Sequence, residues 1–262
     1  MDVRLDGKTA LITGGSKGLG LAMAASFAEA GADVAILARR PDVLEEAKVA
    51  LLAKSKGKGK VAAVACDVSK ADDIAVAYKR VMAELGKIDI LVNNAGASQR
   101  GKFEEVSDTM WQEDLDLKLF AAVRLTRLIL PQMKERRWGR IINVLNTGAK
   151  APPATSAPTS VVRAAGMALT KVLAGEGAPF NVLVNALLVG VIVSDQIVRR
   201  HQSEGANVSL DDYIREAGKR VPLGRMGRAE EFANVARFLA SEAGSYVTGT
   251  ALNVDGGLSP VV

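Results

Sequence analysis

The chain has 262 residues, of which 48% are hydrophobic and 24% are charged, and its formal net charge at pH 7 is +5. This length and composition fit one ample globular domain or two small ones. The single cysteine, Cys66, excludes an intrachain disulfide framework and favours a reducing, cytoplasmic location.

Neither a membrane nor a nucleic acid is an expected partner. No signal-peptide pattern is found, and the longest apolar run, residues 182–193, is interrupted by Asn185 and is too short to span a bilayer. Basic residues are densest in residues 54–60, where no aromatic residue accompanies them. A solvated surface turn is therefore the favoured interpretation of that segment, and a nucleic-acid surface is the alternative.

The first motif is the glycine-rich stretch of residues 13–20, TGGSKGLG. The apolar residues 9–12 before it predict a buried strand, and the Ala-rich residues 21–27 after it predict a helix that ends at Gly31. Glycines permit a tight turn and a close approach to a diphosphate, while a helix N-terminus offers free N–H groups. The stretch predicts a dinucleotide-binding turn, with a plain tight turn as the alternative. Its predicted cofactor-binding residues are Gly14, Ser16, Lys17, Gly18, Leu19 and Gly20.

The second predicted strand, Asp33–Ala38, bears on the choice of cofactor, and Pro41 then begins a helix. An acidic residue at the end of this strand binds the 2′-hydroxyl of an adenosine ribose, whereas arginine accommodates a 2′-phosphate. No acid ends the strand; Arg39 and Arg40 follow it, and Lys17 adds positive charge. The pattern predicts NADP(H) rather than NAD(H), and two solvated surface arginines are the alternative.

Strands and helices continue to alternate, with strands predicted at residues 61–65 and 88–92 and a helix at residues 72–85. Strands separated by helices form parallel sheets through right-handed crossovers, and ligands gather at the carboxyl ends of those strands. We predict an α/β, doubly wound Rossmann-type three-layer fold with a central parallel sheet, in one domain of residues 1–262. The residues predicted at strand ends are Gly14, Arg39, Asp67 and Asn94.

These motifs, with residues 222–225 and 249–257 near the end of the chain, resemble the short-chain dehydrogenase/reductase family along essentially the whole sequence. The resemblance implies bound NAD(P), a homotetramer or homodimer, and a lid over the substrate at about residues 194–219. It also implies further cofactor contacts, namely Asp67, Val68, Asn94, Ala95, Gly96, Ile192 and Ser194.

The resemblance fails at the four catalytic positions of the family. Lys118 occupies the Asn position on a helix predicted over residues 107–136, which Pro131 is expected to kink. Asn146 occupies the Ser position, and Thr159 and Arg163 occupy the Tyr and Lys positions. The chain holds three tyrosines, and none is followed four residues later by lysine, so no other register restores the family's Tyr-x-x-x-Lys.

The replacements change the expected proton chemistry. In the family, the tyrosine exchanges a proton with the substrate, and the lysine binds the nicotinamide ribose and lowers the pKa of the tyrosine. The hydroxyl of Thr159 is far less acidic, whereas Arg163 can still bind ribose hydroxyls and Asn146 can donate to a carbonyl oxygen. Lys118 is then the leading replacement acid. His201 and Tyr213, in the predicted lid, are weaker candidates, with solvated surface residues as the alternative.

Two functions remain open. The first is an NADP(H)-dependent oxidoreductase that acts on a carbonyl or secondary alcohol through a non-standard active site. The second is a catalytically silent NADP(H)-binding protein, a sensor or a supporting subunit, in which the four replacements are drift. We favour the first narrowly, because cofactor-facing residues extend to the nicotinamide end. No metal site is predicted, and the sequence does not identify the small-molecule substrate.

Overall fold

The computed structural model describes residues 2–55, 57, 59–194, 197–198, 201–202 and 207–262. Within these residues, seven strands form one sheet in the spatial order β3-β2-β1-β4-β6-β8-β9, and all their pairings are parallel. The strands are β1 (Thr9–Thr13), β2 (Asp33–Ala38), β3 (Val61–Ala65), β4 (Ile90–Asn93), β6 (Gly139–Asn146), β8 (Val182–Val189) and β9 (Ala251–Val254).

The strand order reverses beside β1, which is the doubly wound arrangement. Helices cover both faces of the sheet: α1, α2 and α8 supply the apolar core of one face, and α3, α5 and α6 supply that of the other. The predicted three-layer Rossmann-type fold is therefore confirmed. The helices are α1 (Gly18–Glu29), α2 (Pro41–Ser55), α3 (Ala71–Leu85), α4 (Asp108–Asp114), α5 (Ala121–Glu135), α6 (Thr159–Gly177), α7 (Leu210–Gly218) and α8 (Ala229–Ala240).

The segment predicted as one helix over residues 107–136 is divided in three. Ser107 caps α4 by accepting a hydrogen bond from the Met110 amide at 3.2 Å. A π-helix, Leu115–Phe120, then separates α4 from α5. Asp114, the last residue of α4 before the π-helix, is buried. The departure from α-geometry thus lies upstream of Pro131, through which α5 continues.

Two short strands, β5 (Arg100–Gly101) and β7 (Ala157–Pro158), pair antiparallel beside the start of α6. This pairing was not expected from the sequence. The predicted lid includes α7, but it also falls on residues 195, 196, 199, 200 and 203–206, which lie outside the described residues. The lid therefore stays a prediction. Across the part of the chain that is described, no helix has both the length and the apolarity needed to cross a membrane.

Candidate active site

The glycine turn between β1 and α1 is so tightly packed that it leaves little room for side chains. A Cβ atom on Gly20 would lie 2.2 Å from the Gly14 carbonyl oxygen, so only glycine fits at that position. Gly14 itself has a φ of +64°, which disfavours a side chain. At the start of α1, Lys17 makes no side-chain cap, and no acidic residue lies in the first turn. The positive end of the helix is therefore open to an anion.

Hydrogen bonds tie this turn to the end of β4. The hydroxyl oxygen of Thr13 accepts the backbone N–H groups of Asn94 and Ala95, both at 2.9 Å. The Asn94 side-chain amide donates to the Thr13 carbonyl at 2.9 Å and to the Gly14 carbonyl at 3.3 Å. Asn94 thus holds the glycine turn in place, which is how it supports the predicted cofactor site.

Basic side chains lie at the neighbouring strand ends. Arg39 and Arg40 follow β2 and are exposed, as is Lys17 on the glycine turn. At the end of β3, burial raises the pKa of Asp67, but hydrogen bonds from Ser69 and the charges of Arg39 and Lys70 outweigh it and lower the pKa overall. Arg39 therefore lies close enough to influence Asp67, and Val68 beside it is buried.

The segment after β8 faces the glycine turn. Ile192 is buried and forms a bridge with Gly227. The Cβ atom of Ser194 lies 4.0 Å from the place that a Cβ of Gly18 would take. The predicted cofactor residues from both halves of the chain are thus brought together at the carboxyl edge of the sheet.

The second part of the site is a cluster of buried charges. The Lys118 side chain is only 6% exposed and lies on the π-helix, with its Nζ forming a short ion pair with Asp114. The same Nζ donates to the Thr159 hydroxyl oxygen at 2.8 Å. Burial lowers the pKa of Lys118 to about 8; Arg163 lowers it too, while the hydrogen bond and charge of Asp114 raise it.

Arg163 lies next to Lys118, and both side chains approach Gly96. Its Nη1 donates to the Val144 carbonyl at 3.1 Å, and Nη2 lies 3.4 Å from the place that a Cβ of Gly96 would take. Burial lowers the pKa of Arg163 to about 10; Asp114 opposes this shift and Arg100 adds to it. Gly96 therefore leaves room for two cationic side chains to converge.

Several buried polar atoms around this cluster have no partner among the described residues. They include Asn146 Oδ1, Ser160 Oγ, Asp114 Oδ2, Arg163 Nε and Asn93 Oδ1. A cavity of about 20 Å³ lies beside Lys118 and Arg163 and is also lined by Asn93. That volume holds about one water molecule. These unpartnered polar atoms are therefore available to form hydrogen bonds with a ligand or a water molecule.

Asn146 ends β6, and its Oδ1 has no partner among the described residues. The structure brings together the other three predicted catalytic residues, Lys118, Thr159 and Arg163, and adds Asp114, which the sequence reasoning missed. The sequence could have indicated this ion pair, because Asp114 and Lys118 are four residues apart on a predicted helix and such residues lie on one face. His201 and Tyr213 contact each other, with ring centroids 5.4 Å apart, and the His201 Nε2 lies 2.8 Å from the Val208 carbonyl oxygen.

Known proteins resemble the chain along nearly its whole length. The family model described as enoyl-(acyl carrier protein) reductase matches residues 14–259. The 3-oxoacyl-[acyl-carrier-protein] reductase FabG of Aquifex aeolicus is 35% identical over 263 residues, covering 98% of this chain and 100% of that protein.

Two solved structures also match closely. The L-sorbose reductase of Gluconobacter frateurii, complexed with NADPH and L-sorbose, has a TM-score of 0.94 at 34% identity and full coverage of both chains. An NADPH-bound short chain oxidoreductase of Pseudomonas aeruginosa PAO1, described as containing an atypical catalytic center, has a TM-score of 0.91 at 36% identity and 99% coverage of both chains. The chain belongs to the short-chain dehydrogenase/reductase family.

Proposed function

We propose that this protein is an NADP(H)-dependent oxidoreductase that acts on a carbonyl or secondary alcohol, with Lys118 in place of the usual tyrosine acid. The family relationship and the two NADPH-bound neighbours support the cofactor and the reaction class. The neighbour described as containing an atypical catalytic center supports a non-standard active site in this chain.

The chain's residues fit the cofactor. The uncapped start of α1 offers N–H groups to a diphosphate, and the contact between Gly20 and the Gly14 carbonyl leaves no side chain in its way. Arg39 and Arg40 suit a 2′-phosphate, because a guanidinium binds phosphate bidentately. We assign cofactor contacts to Gly14, Ser16, Lys17, Gly18, Leu19, Gly20, Arg39, Arg40, Asp67, Val68, Asn94, Ala95, Gly96, Arg163, Ile192 and Ser194.

When bound, NADPH supplies a hydride to the substrate. Lys118 supplies the proton: its Nζ ammonium donates to the carbonyl oxygen during reduction and takes the proton back during oxidation. The pKa of about 8 suits both directions, since a general acid or base works best near the operating pH. The Thr159 hydroxyl and the Asp114 carboxylate hold Nζ in place. Asn146 donates a second hydrogen bond to the substrate oxygen, and Arg163 binds ribose hydroxyls.

The observation that carries the proposal is the Lys118–Thr159 hydrogen bond of 2.8 Å, which joins the two residues predicted to replace the family's Asn and Tyr. The test is a paired titration with NADPH and NADH, followed by a panel of carbonyl compounds with the cofactor that binds. We expect NADPH to bind more tightly and to be consumed with at least one carbonyl compound. Tight NADPH binding with no turnover across a broad panel contradicts the proposal and favours the silent NADP(H)-binding protein.

The double variant T159Y/R163K distinguishes these two functions further. If the native protein is silent and the double variant gains activity, the loss of the usual tyrosine and lysine explains the silence. If the native protein is active through Lys118, the double variant is expected to lose rather than gain turnover. The reason is that the substitution removes the Thr159 hydroxyl, to which Lys118 donates a hydrogen bond. Assembly into a homodimer or homotetramer is a further proposal that size measurements in solution would test.

A further inference from the structure

The substrate end of the site carries an excess of positive charge. Within the described part of the chain, the charged groups that act on the Arg163 guanidinium or the Lys118 ammonium are Asp114, Arg100 and these two residues themselves. One carboxylate therefore faces three cations. Since Asp114 is already paired with Lys118, the other two positive charges are left to interact with something else.

Arg163 is the clearer sign of a missing anion. Its Nε is shielded from water and has no partner among the residues that the structure describes, and the same residues provide it with no ion pair. A cation removed from water is costly unless an opposite charge or hydrogen bonds compensate for it. Ribose hydroxyls would supply hydrogen bonds to Arg163, but they would not reduce the net charge.

Arg100 is the third cation of this set, and it is exposed. The β5–β7 pairing places it opposite Pro158, the residue directly before Thr159. The Arg100 Nε donates to the Ser98 hydroxyl at 3.1 Å. Among the described residues, its two terminal nitrogens have no hydrogen-bond partner. The nearby Glu113 carboxylate instead accepts a hydrogen bond from Gln99 at 3.3 Å.

We infer that the substrate is an oxo acid, a carbonyl compound with a carboxylate close to the carbonyl group, and that Arg100 binds this carboxylate. The fork of an arginine matches a carboxylate bidentately, and a negative ligand offsets the charge of Arg163 and Lys118. This inference rests on the proposed function. In the reaction, the carbonyl carbon gains a hydride and the oxygen gains the Lys118 proton. NADPH is oxidised to NADP⁺, and the product is a hydroxy acid.

The binding test uses oxamate, which resembles a small oxo acid but is not reduced, and its uncharged methyl ester. Calorimetry on the protein, with and without NADPH, is expected to give at least about tenfold tighter binding of oxamate than of the ester, weakening as salt increases. In Arg100→Gln the oxamate affinity is expected to fall about tenfold while that of the ester stays unchanged.

The control is Lys102→Gln, which removes an equal charge two residues away; Lys102 is exposed and pairs with Glu105. It should leave oxamate binding unchanged. Arg100→Lys should retain part of the affinity, because it keeps the charge but loses the fork. Equal affinity for oxamate and its ester, or an Arg100→Gln variant that binds oxamate like the native protein, overturns the inference.

Turnover separates this inference from the proposed function. We expect 2-oxo or 3-oxo acids to be reduced with at least about tenfold higher kcat/KM than their methyl esters, and Arg100→Gln to remove this preference chiefly through KM. Turnover of esters without a preference for the acids overturns the inference and leaves the proposed function standing. Arg100-dependent oxamate binding without turnover of any carbonyl compound supports the anion site and contradicts the proposed function.

Discussion

The two ends of the candidate site are built differently. At the cofactor end, backbone groups and close packing fix the geometry: Gly20 lies against the Gly14 carbonyl, and the Thr13 hydroxyl accepts two backbone N–H groups. At the substrate end, the geometry is fixed instead by buried charged side chains, namely the ion pair of Lys118 with Asp114. The first arrangement admits few residue types, whereas side-chain charges such as those of the second can be supplied by several residue types. The family resemblance accordingly rests on the first end, and the replacement of the family's catalytic residues at the second end stays a prediction.

A large effect is expected at the cofactor end, where close packing fixes the glycine turn. Gly20→Val places a side chain against the Gly14 carbonyl oxygen, so the turn must open, and we expect NADPH affinity to fall about 100-fold or more. A fluorescence titration with NADPH measures it. Gly175→Ala is the matched control, because a Cβ there meets nothing within 4 Å and the residue lies in α6. This control should bind NADPH normally and gain about 0.5–1 kcal/mol of stability.

At the charged end, Lys118→Met is expected to lower kcat by about 10²–10⁴, because the proton donor is lost. NADPH affinity should change little, and the control Lys79→Met, an exposed lysine on α3, should leave both quantities unchanged. Steady-state kinetics and cofactor titration measure the two effects. A Lys118→Met variant with native kcat would exclude Lys118 as the acid.

Asp114→Asn tests the charge balance itself. It leaves the Lys118 ammonium buried without its counter-charge, and we expect the free energy of unfolding to fall by about 3–5 kcal/mol. Because Asp114 raises the pKa of Lys118, its removal lowers that pKa below the native value of about 8. Reduction needs protonated Lys118, so native activity falls as pH rises through about 8 and the fall occurs at lower pH in the variant.

Denaturant unfolding and pH–rate profiles measure these two effects. The matched control is Asp116→Asn, two residues further along in the adjoining π-helix, since Asp116 pairs with Arg124 and its side chain is 25% exposed. This control should leave the pH profile in place. If activity in Asp114→Asn falls at the same high pH as in the native protein, a group other than Lys118 donates the proton.

The smallest effect is expected at the predicted 2′-phosphate position. Arg39→Gln should weaken NADPH binding about ten- to hundredfold and leave NADH binding almost unchanged, because only NADPH carries the extra phosphate. Paired titrations measure the ratio, and Lys48→Gln, at a partly exposed position on α2, is the control. An equal loss for both cofactors would mean that Arg39 does not distinguish them.

The sequence by itself determined the alternation of strands and helices and hence the sheet. The predicted strand Asp33–Ala38 has the bounds found in the structure, and Pro41 begins α2 as expected. Apolar runs and glycine positions reflect the local conformation of one segment, so they can be interpreted without knowing which distant residues pack against it. The spacing of the glycines likewise identified the glycine turn, because the conformation of that turn depends on its own backbone and on the absence of side chains.

Only the tertiary structure decided how the substrate end is arranged. The π-turn at Leu115–Phe120 depends on hydrogen bonds that the apolar period of the sequence does not encode, and it is accompanied by the burial of Asp114 beside Lys118. The 2.8 Å contact between Lys118 and Thr159 joins residues 41 positions apart. The position of Arg100 depends likewise on pairing with residues 157–158. Such contacts depend on long-range packing, because a charge acquires its pKa and its partner only when distant segments remove it from water.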